Sequence, residues 1–294
     1  MDIKAYLKER KDIVDKALER YFLNSEDKHI KVLKDSMKYS LFAGGKRLRP
    51  ILCIAGAEAV GGTYKEVLSV ACALEFIHTY SLIHDDLPSM DNDDLRRGIP
   101  TNHKVFGETI ALLAGDGLLT DAFYLMTLDL NRDPVRLLRV VNLIAKAAGS
   151  NGMVGGQVAD IESEGKDVDL SVLEFIHTHK TGALIKASVM SGVILAGGTE
   201  EQITAVSGYG RNIGLAFQIA DDILNVIGDP KILGKRVGSD QEKKKVTYPA
   251  ILGLEKSKDI QIKLVKKAIA LLDKFDSKAD PLREIAKYII ERRR

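Results

Sequence analysis

Apolar residues recur at steps of three and four along this 294-residue chain, and that period limits its fold more than any other feature. Ile3, Tyr6, Leu7, Ile13, Val14, Ala17, Leu18 and Tyr21 form one such stripe, the pattern of a helix with a single buried face. Leu264, Val265, Ala268, Ile269, Leu272 and Phe275 repeat it near the other end. Residues 68–84 and 204–226 are apolar with few charges and read as helices buried nearly all round. No region sustains two-residue alternation, so no sheet is expected. Turn signals at 44–45, 61–62, 88–100, 131–134, 149–156, 197–198 and 228–240 separate the helices. None is a long Pro/Ser linker. The expectation is one all-α domain spanning 1–294, built from about ten or more helices.

Charge removes several functional classes. Lys and Arg number 43 against 41 Asp and Glu, a net charge of +2, so bulk electrostatic binding of nucleic acid is not expected. Cys53 and Cys72 both sit in apolar runs, which suits buried thiols in a reducing compartment rather than a disulfide or a cysteine zinc site. The first residues are charged throughout, with no signal-peptide core. No run reaches the roughly 18 uncharged apolar residues of a membrane span. A soluble, cytoplasmic protein is expected.

The sharpest local feature is the stretch from Tyr80 to Gly98, in which Asp85, Asp86, Asp91, Asp93 and Asp94 follow an apolar helix directly. Adjacent aspartates at a helix C-terminus oppose the macrodipole, so something positive must compensate them. Pro88 cannot continue a regular helix, and Asp91 should therefore return through a loop toward Asp85. Oxygen-only ligands with room for water suit Mg²⁺. A solvated acidic loop is the bland alternative, disfavoured because the run leaves an apolar helix. A second group, Gln218, Asp221, Asp222 and Asn225, lies on another apolar helix, where the three acidic and amide positions fall on one face. A structural ion pair would account for that group taken alone.

Basic residues cluster at loop edges: Gly44-Gly45-Lys46-Arg47-Leu48-Arg49-Pro50, Arg96-Arg97, Lys180-Thr181-Gly182, Gly234-Lys235-Arg236 and Arg292 to Arg294. Arginine forks onto phosphate and lysine offers a point charge, although no P-loop is present. Two aspartate groups beside several cationic groups suit a diphosphate bridged by Mg²⁺ on one side and clamped by cations on the other. The apolar helices leading into both aspartate pairs suggest an aliphatic tail in a dry channel. Tyr80, five residues before Asp85 and so about 7.5 Å along a helix, could close that channel. An ordinary core tyrosine, and for His78 a satisfied core histidine, are the alternatives.

These residues resemble the trans-polyprenyl diphosphate synthase family, its bacterial farnesyl-type branch in particular, over almost the whole chain. The resemblance rests on GGKRLRP at 44–50, YSLIHDDLPSMDNDDLRRG at 80–98, LAGDGLL at 113–119, HKTGALI at 179–185 and FQIADDILNVIGD at 217–229. It implies an orthogonal helical bundle around a deep central cavity, the isoprenoid synthase fold, and a homodimer. It implies that Asp85, Asp86, Asp91 and Asp221 hold Mg²⁺, three ions with diphosphate bound. Arg96, Lys180 and Lys235 would contact the allylic diphosphate, and Lys46, Arg49, His78 and Arg97 isopentenyl diphosphate. Thr181 and Gln218 would line the place where an allylic cation forms, and Asp222 completes the catalytic group. Tyr80 with Ser81 would set product length, favouring farnesyl diphosphate from dimethylallyl and geranyl diphosphates. Arg292 to Arg294 could help close the site. Asn225 stands where the family usually has a third aspartate, and Arg236 where it often has proline. The competing readings are a geranylgeranyl diphosphate synthase, a non-catalytic subunit of a heteromeric synthase, a terpene cyclase and a helical scaffold.

Overall fold

The computed structural model describes residues 1–23, 28–128, 132–227 and 246–291. Their α-helices are α1 (Ile3–Leu23), α2 (Lys31–Leu41), α3 (Leu48–Glu58), α4 (Tyr64–Asp85), α5 (Asn102–Phe106), α6 (Glu108–Met126), α7 (Pro134–Ala148), α8 (Met153–Ser163), α9 (Leu170–Ile176), α10 (Ala183–Leu195), α11 (Glu200–Ile227), α12 (Tyr248–Leu252), α13 (Leu254–Ala270) and α14 (Asp280–Glu291). A π-helical turn, His177–Gly182, joins α9 to α10. The all-α expectation holds.

Helices α4 and α10 form the centre, as their near-continuous apolar sequences require. Val70, Ala71, Ala73, Leu74, Phe76 and Ile77 of α4 are buried, as are Leu184, Ile185, Val189 and Val193 of α10. Ser188 and Ser191 stay in this core because each hydroxyl donates to a carbonyl one turn back, Leu184 and Ala187. α4 and α11, which carry the two acidic motifs, are not packed side by side; α10 touches both. A smaller core of Leu173, Ile219, Ile223 and Tyr248 ties α9, α11 and α12 together.

Helices α3 and α10 cross at backbone contact. A Cβ at Gly192 would lie 1.9 Å from the Cys53 carbonyl oxygen, and one at Gly56 2.4 Å from that of Val189. Because the obstacle is backbone, Gly192→Ala should cost about 3 kcal/mol by overpacking. A thermal unfolding midpoint equal to wild type would show that the two helices have room to part.

Two local differences from expectation have simple causes. Leu95–Arg96 (β1) and Ile99–Pro100 (β2) form a two-residue antiparallel ladder where no strand was expected. The two-residue loop between them places Arg97 at φ 55° and Gly98 at φ 82°, the type I′ geometry that matches strand twist. Four residues are too few to show alternation. In addition, α4 and α6 are long and apolar enough to cross a membrane by length and composition, tolerating up to two charges. α4 is enclosed by the bundle, whereas α6 leaves Leu112, Leu113 and Tyr124 exposed. Cys53 and Cys72 are free and buried, each thiol pushed up to about 12 by burial.

Candidate active site

The first acidic motif folds as its proline dictates. α4 ends at Asp85, and the chain then turns so that the Asp91 N–H donates to the Asp85 carbonyl at 2.8 Å. Asn92 takes φ 49° to complete the turn. Asp91 therefore lies beside Asp85, as expected. The Gln157 amide of α8 donates to Asp85 Oδ1 at 2.5 Å.

Asp86 does something different. It is buried, and Arg96 Nε reaches its two oxygens at 2.7 and 2.8 Å. Burial raises the Asp86 pKa in spite of the arginine. Asp86 is expected at a metal and Arg96 at a diphosphate; here the two side chains pair with each other. A carboxylate sealed at a helix C-terminus needs a cation, and the hairpin delivers one.

On the other side of the hairpin an anion pocket takes shape. Gly44 and Gly45 adopt φ 95° and 119°, and the Arg97 guanidinium lies over Gly45 where any Cβ would strike it at 2.8 Å. Arg97 donates to the Gly44 carbonyl. Arg47, in the left-handed region at φ 52°, turns inward and donates to Asp15 at 2.8 Å, Glu75 at 2.8 Å and the Leu41 carbonyl at 2.7 Å. That network fixes the loop from beneath, with Lys46 exposed at the surface. Among the described residues, Arg49 Nε and His78 Nδ1 are both sealed from solvent with no hydrogen-bond partner. Orphaned polar atoms of this kind are uncommon inside proteins, and two beside one cationic loop suit an anion. Burial pulls the Arg49 guanidinium down to about 10, still far above neutrality.

Burial, then Arg49, Arg97, Arg96 and Arg47, hold the His78 imidazole well below its usual range. The unfolded chain therefore takes up this proton first, and stability is lost as pH falls below about 6.5. The unfolding midpoint of the wild-type protein should drop more steeply between neutrality and pH 5.5 than that of His78→Asn. Parallel pH curves would remove His78 as the cause.

The second motif lies on α11. Asp221 and Asn225 are half-buried, but Asp222 points into the small core, so the single face expected for the three divides. Asp222 Oδ2 accepts from the Tyr248 N–H at 2.9 Å and lies 3.0 Å from His177 Nε2. Lys180 and Thr181 sit on the π turn, with Lys180 Nζ donating to Asp160 at 2.6 Å. Gly156 allows the Lys180 backbone to pass where a Cβ would meet it at 2.2 Å. Gln218 is half-buried one turn before Asp222. Ser81 donates into its own helix, to the His78 carbonyl at 2.8 Å. Lys235, Arg236 and Arg292 to Arg294 lie outside the described residues.

Among the described residues no three His, Cys, Asp or Glu side chains converge at metal-ligand spacing. The donors nonetheless suit a hard divalent cation: Asp85, Asp91 and Asp221 offer carboxylate oxygens, and Gln157 Oε1 is a buried oxygen without a partner. Gln157, Asp160 and His177 escaped the sequence reading. Glu75 escaped it too, although an acid in the otherwise uncharged run at 67–77 was a signal for it.

The family profile described as Polyprenyl synthetase matches residues 30–289. The chain belongs to that family. Its activity is that of a trans-prenyl diphosphate synthase, a prenyltransferase. It is 52% identical over 261 residues to farnesyl diphosphate synthase of Geobacillus stearothermophilus, covering 88% of this chain and 87% of that one. It is 51% identical over 294 residues to a chloroplastic geranylgeranyl pyrophosphate synthase of Catharanthus roseus, covering 99% and 82%. Among solved structures, geranylgeranyl pyrophosphate synthetase of Pyrococcus horikoshii superposes with a TM-score of 0.90 at 35% identity, covering 99% of this synthase and 98% of that chain. The isoprenoid synthase fold follows.

Proposed function

We propose that this synthase makes farnesyl diphosphate, adding isopentenyl diphosphate first to dimethylallyl and then to geranyl diphosphate. Relatives of both product lengths are about equally similar, so overall likeness does not choose between them. Tyr80 carries the choice. It is 7% exposed, more than one turn below Asp85 on α4, with its ring edge-on to His84 at 5.6 Å. His84 is itself wedged against Gly115, where a Cβ would come within 2.0 Å, and lies 2.9 Å from the Leu112 carbonyl. An aromatic ring backed in this way is a firm floor for a growing chain. Tyr80→Ala should shift the product toward twenty carbons or more, read by chromatography after incubation with the two five-carbon diphosphates and Mg²⁺. A twenty-carbon product from the wild type would sink this reading in favour of a geranylgeranyl synthase, and an unchanged distribution in Tyr80→Ala would place the floor elsewhere.

In this reading Lys46, Arg49, His78 and Arg97 bind isopentenyl diphosphate, whose charge answers the orphaned Arg49 and His78 atoms. Asp85, Asp86, Asp91 and Asp221 hold Mg²⁺, and Arg96 leaves Asp86 to contact the allylic diphosphate. Bound Mg²⁺ supplies neutralisation of the charge developing on the departing diphosphate. Lys180, released from Asp160, meets the same diphosphate, while Thr181 and Gln218 flank the allylic cation. The cation is attacked by the isopentenyl double bond, and the proton lost passes to the released diphosphate. Apolar walls keep out water, which would quench the cation to an alcohol. One domain over the whole chain and a cytoplasmic site complete the proposal, the latter supported by the two free thiols. The exposed apolar face of α6 supports a homodimer.

A further inference from the structure

We propose that Asp222 and His177 are positioning residues, a buried brace that locks the turn bearing Lys180 and Thr181 onto the helix bearing Asp221. The proposal rests on the prenyl synthase reading for what the turn and the helix do. It separates two neighbouring aspartates into two jobs.

Asp222 lies in the small core with its side chain 8% exposed, and His177 opposite it at 7%. One oxygen, Oδ2, receives both the Tyr248 N–H at 2.9 Å and His177 Nε2 at 3.0 Å. Because a carboxylate only accepts, the hydrogen of the imidazole sits on Nε2, and the buried Nδ1 has no partner. The His177 ring stacks on Tyr248 at 5.7 Å, 18° from parallel, and the Tyr248 hydroxyl lies 3.2 Å from Glu174 Oε1. Three separate stretches of chain, at 174–177, 222 and 248, thus meet around one carboxylate.

His177 is the first residue of the π turn, and Gly182 is the last. Gly182 presses on α11 so closely that a Cβ at Gly214 would lie 2.9 Å from its Cα. The turn is therefore pinned to α11 at both ends, by Asp222 at the start and by Gly214 at the finish. A π turn inserts a residue into the helix and does not persist on its own propensity. The brace supplies what holds Lys180 and Thr181 at the level of Gln218 and Asp221. Charge is not what the brace uses: an asparagine oxygen at 222 accepts the same two bonds.

Four variants separate this role from metal binding. Hydrogen exchange of the amides at 178–182 reads the turn directly, and calorimetry of Mg²⁺ with inorganic diphosphate reads the metal site. His177→Phe keeps the stacking ring and removes the bond; Asp222→Ala removes the acceptor. Both should raise exchange in the turn about tenfold, the loss of one strong buried hydrogen bond. Both should leave Mg²⁺ affinity within about threefold of wild type, and His177→Phe should lower kcat about tenfold with the KM for isopentenyl diphosphate unchanged. Asp222→Asn should restore exchange and kcat, whereas Asp221→Asn should weaken Mg²⁺ binding and leave exchange alone. Should Asp222→Ala not fold, the other three variants carry the same test. Mg²⁺ binding lost in Asp222→Asn as in Asp221→Asn would make Asp222 a ligand and overturn the proposal, as would turn exchange unmoved by His177→Phe. A wild-type protein that binds no Mg²⁺ with diphosphate would instead refute the synthase reading, with the exchange arm still reporting on the brace.

Discussion

Asp85→Ala should lower kcat about a thousandfold, the cost of removing one preorganised contact to charge that develops in the transition state. Asp85 is the point where the motif converges. The Asp91 backbone turns back onto it, and Gln157 holds one of its oxygens while presenting an unpartnered oxygen of its own. The same substitution should not weaken the fold. Asp85 closes α4, where a negative charge opposes the helix dipole, so the alanine variant should unfold at the same temperature as wild type or slightly above it. Steady-state kinetics beside a thermal melt checks both halves. Near-normal turnover in a well-folded variant would remove Asp85 from the metal site and with it the arrangement proposed here.

Arg49→Met should raise the KM for isopentenyl diphosphate about a hundredfold while kcat changes little, because a charge-assisted phosphate contact is worth about 2–3 kcal/mol. The sign of the stability change is the more telling part. In the structure Arg49 carries a sealed Nε without an acceptor among the described residues, and the charges that act on it are Glu75, Arg97 and Asp221. A guanidinium nitrogen sealed without an acceptor costs stability, so an apolar side chain of similar length should raise the melting temperature of the ligand-free protein. Adding inorganic diphosphate should stabilise the wild type more than the variant. If Arg49→Met instead lowers the melting temperature, Arg49 has a structural partner and the pocket is not assembled around an absent anion.

These two expectations turn on features that the sequence displayed unequally. The helical stripes were plain, because burial of one face imposes a period on composition; α1, α4 and α11 lie where the stripes run, while α13 ends at Ala270, before Leu272 and Phe275. The return of Asp91 to Asp85 was legible from Pro88, whose ring forbids a straight continuation. The partition of like residues was not. Lys46, Arg47 and Arg49 read alike in the chain, yet Arg47 turns inward to Asp15 and Glu75 because its backbone enters the left-handed region. Asp221 and Asp222 are also neighbours of one type, and only tertiary contacts with His177 and Tyr248 send them different ways. The roles of Asp86 and Arg96 came from the family resemblance, and their pairing across the hairpin was not foreseen. A linear chain reveals which charges exist; which of them cancel depends on folding.

The hairpin at 95–100 also imposes a rule of position. Arg96 ends β1 and faces the buried carboxylate, whereas Arg97 opens the turn at φ 55° and faces the glycine loop. Two chemically equivalent side chains are thereby sent to different partners by their places in strand and turn alone. Inserting or deleting one residue ahead of the turn would move both off those partners without altering the composition of the site at all. Length variation should therefore be poorly tolerated in these six residues, however small the change in chemistry.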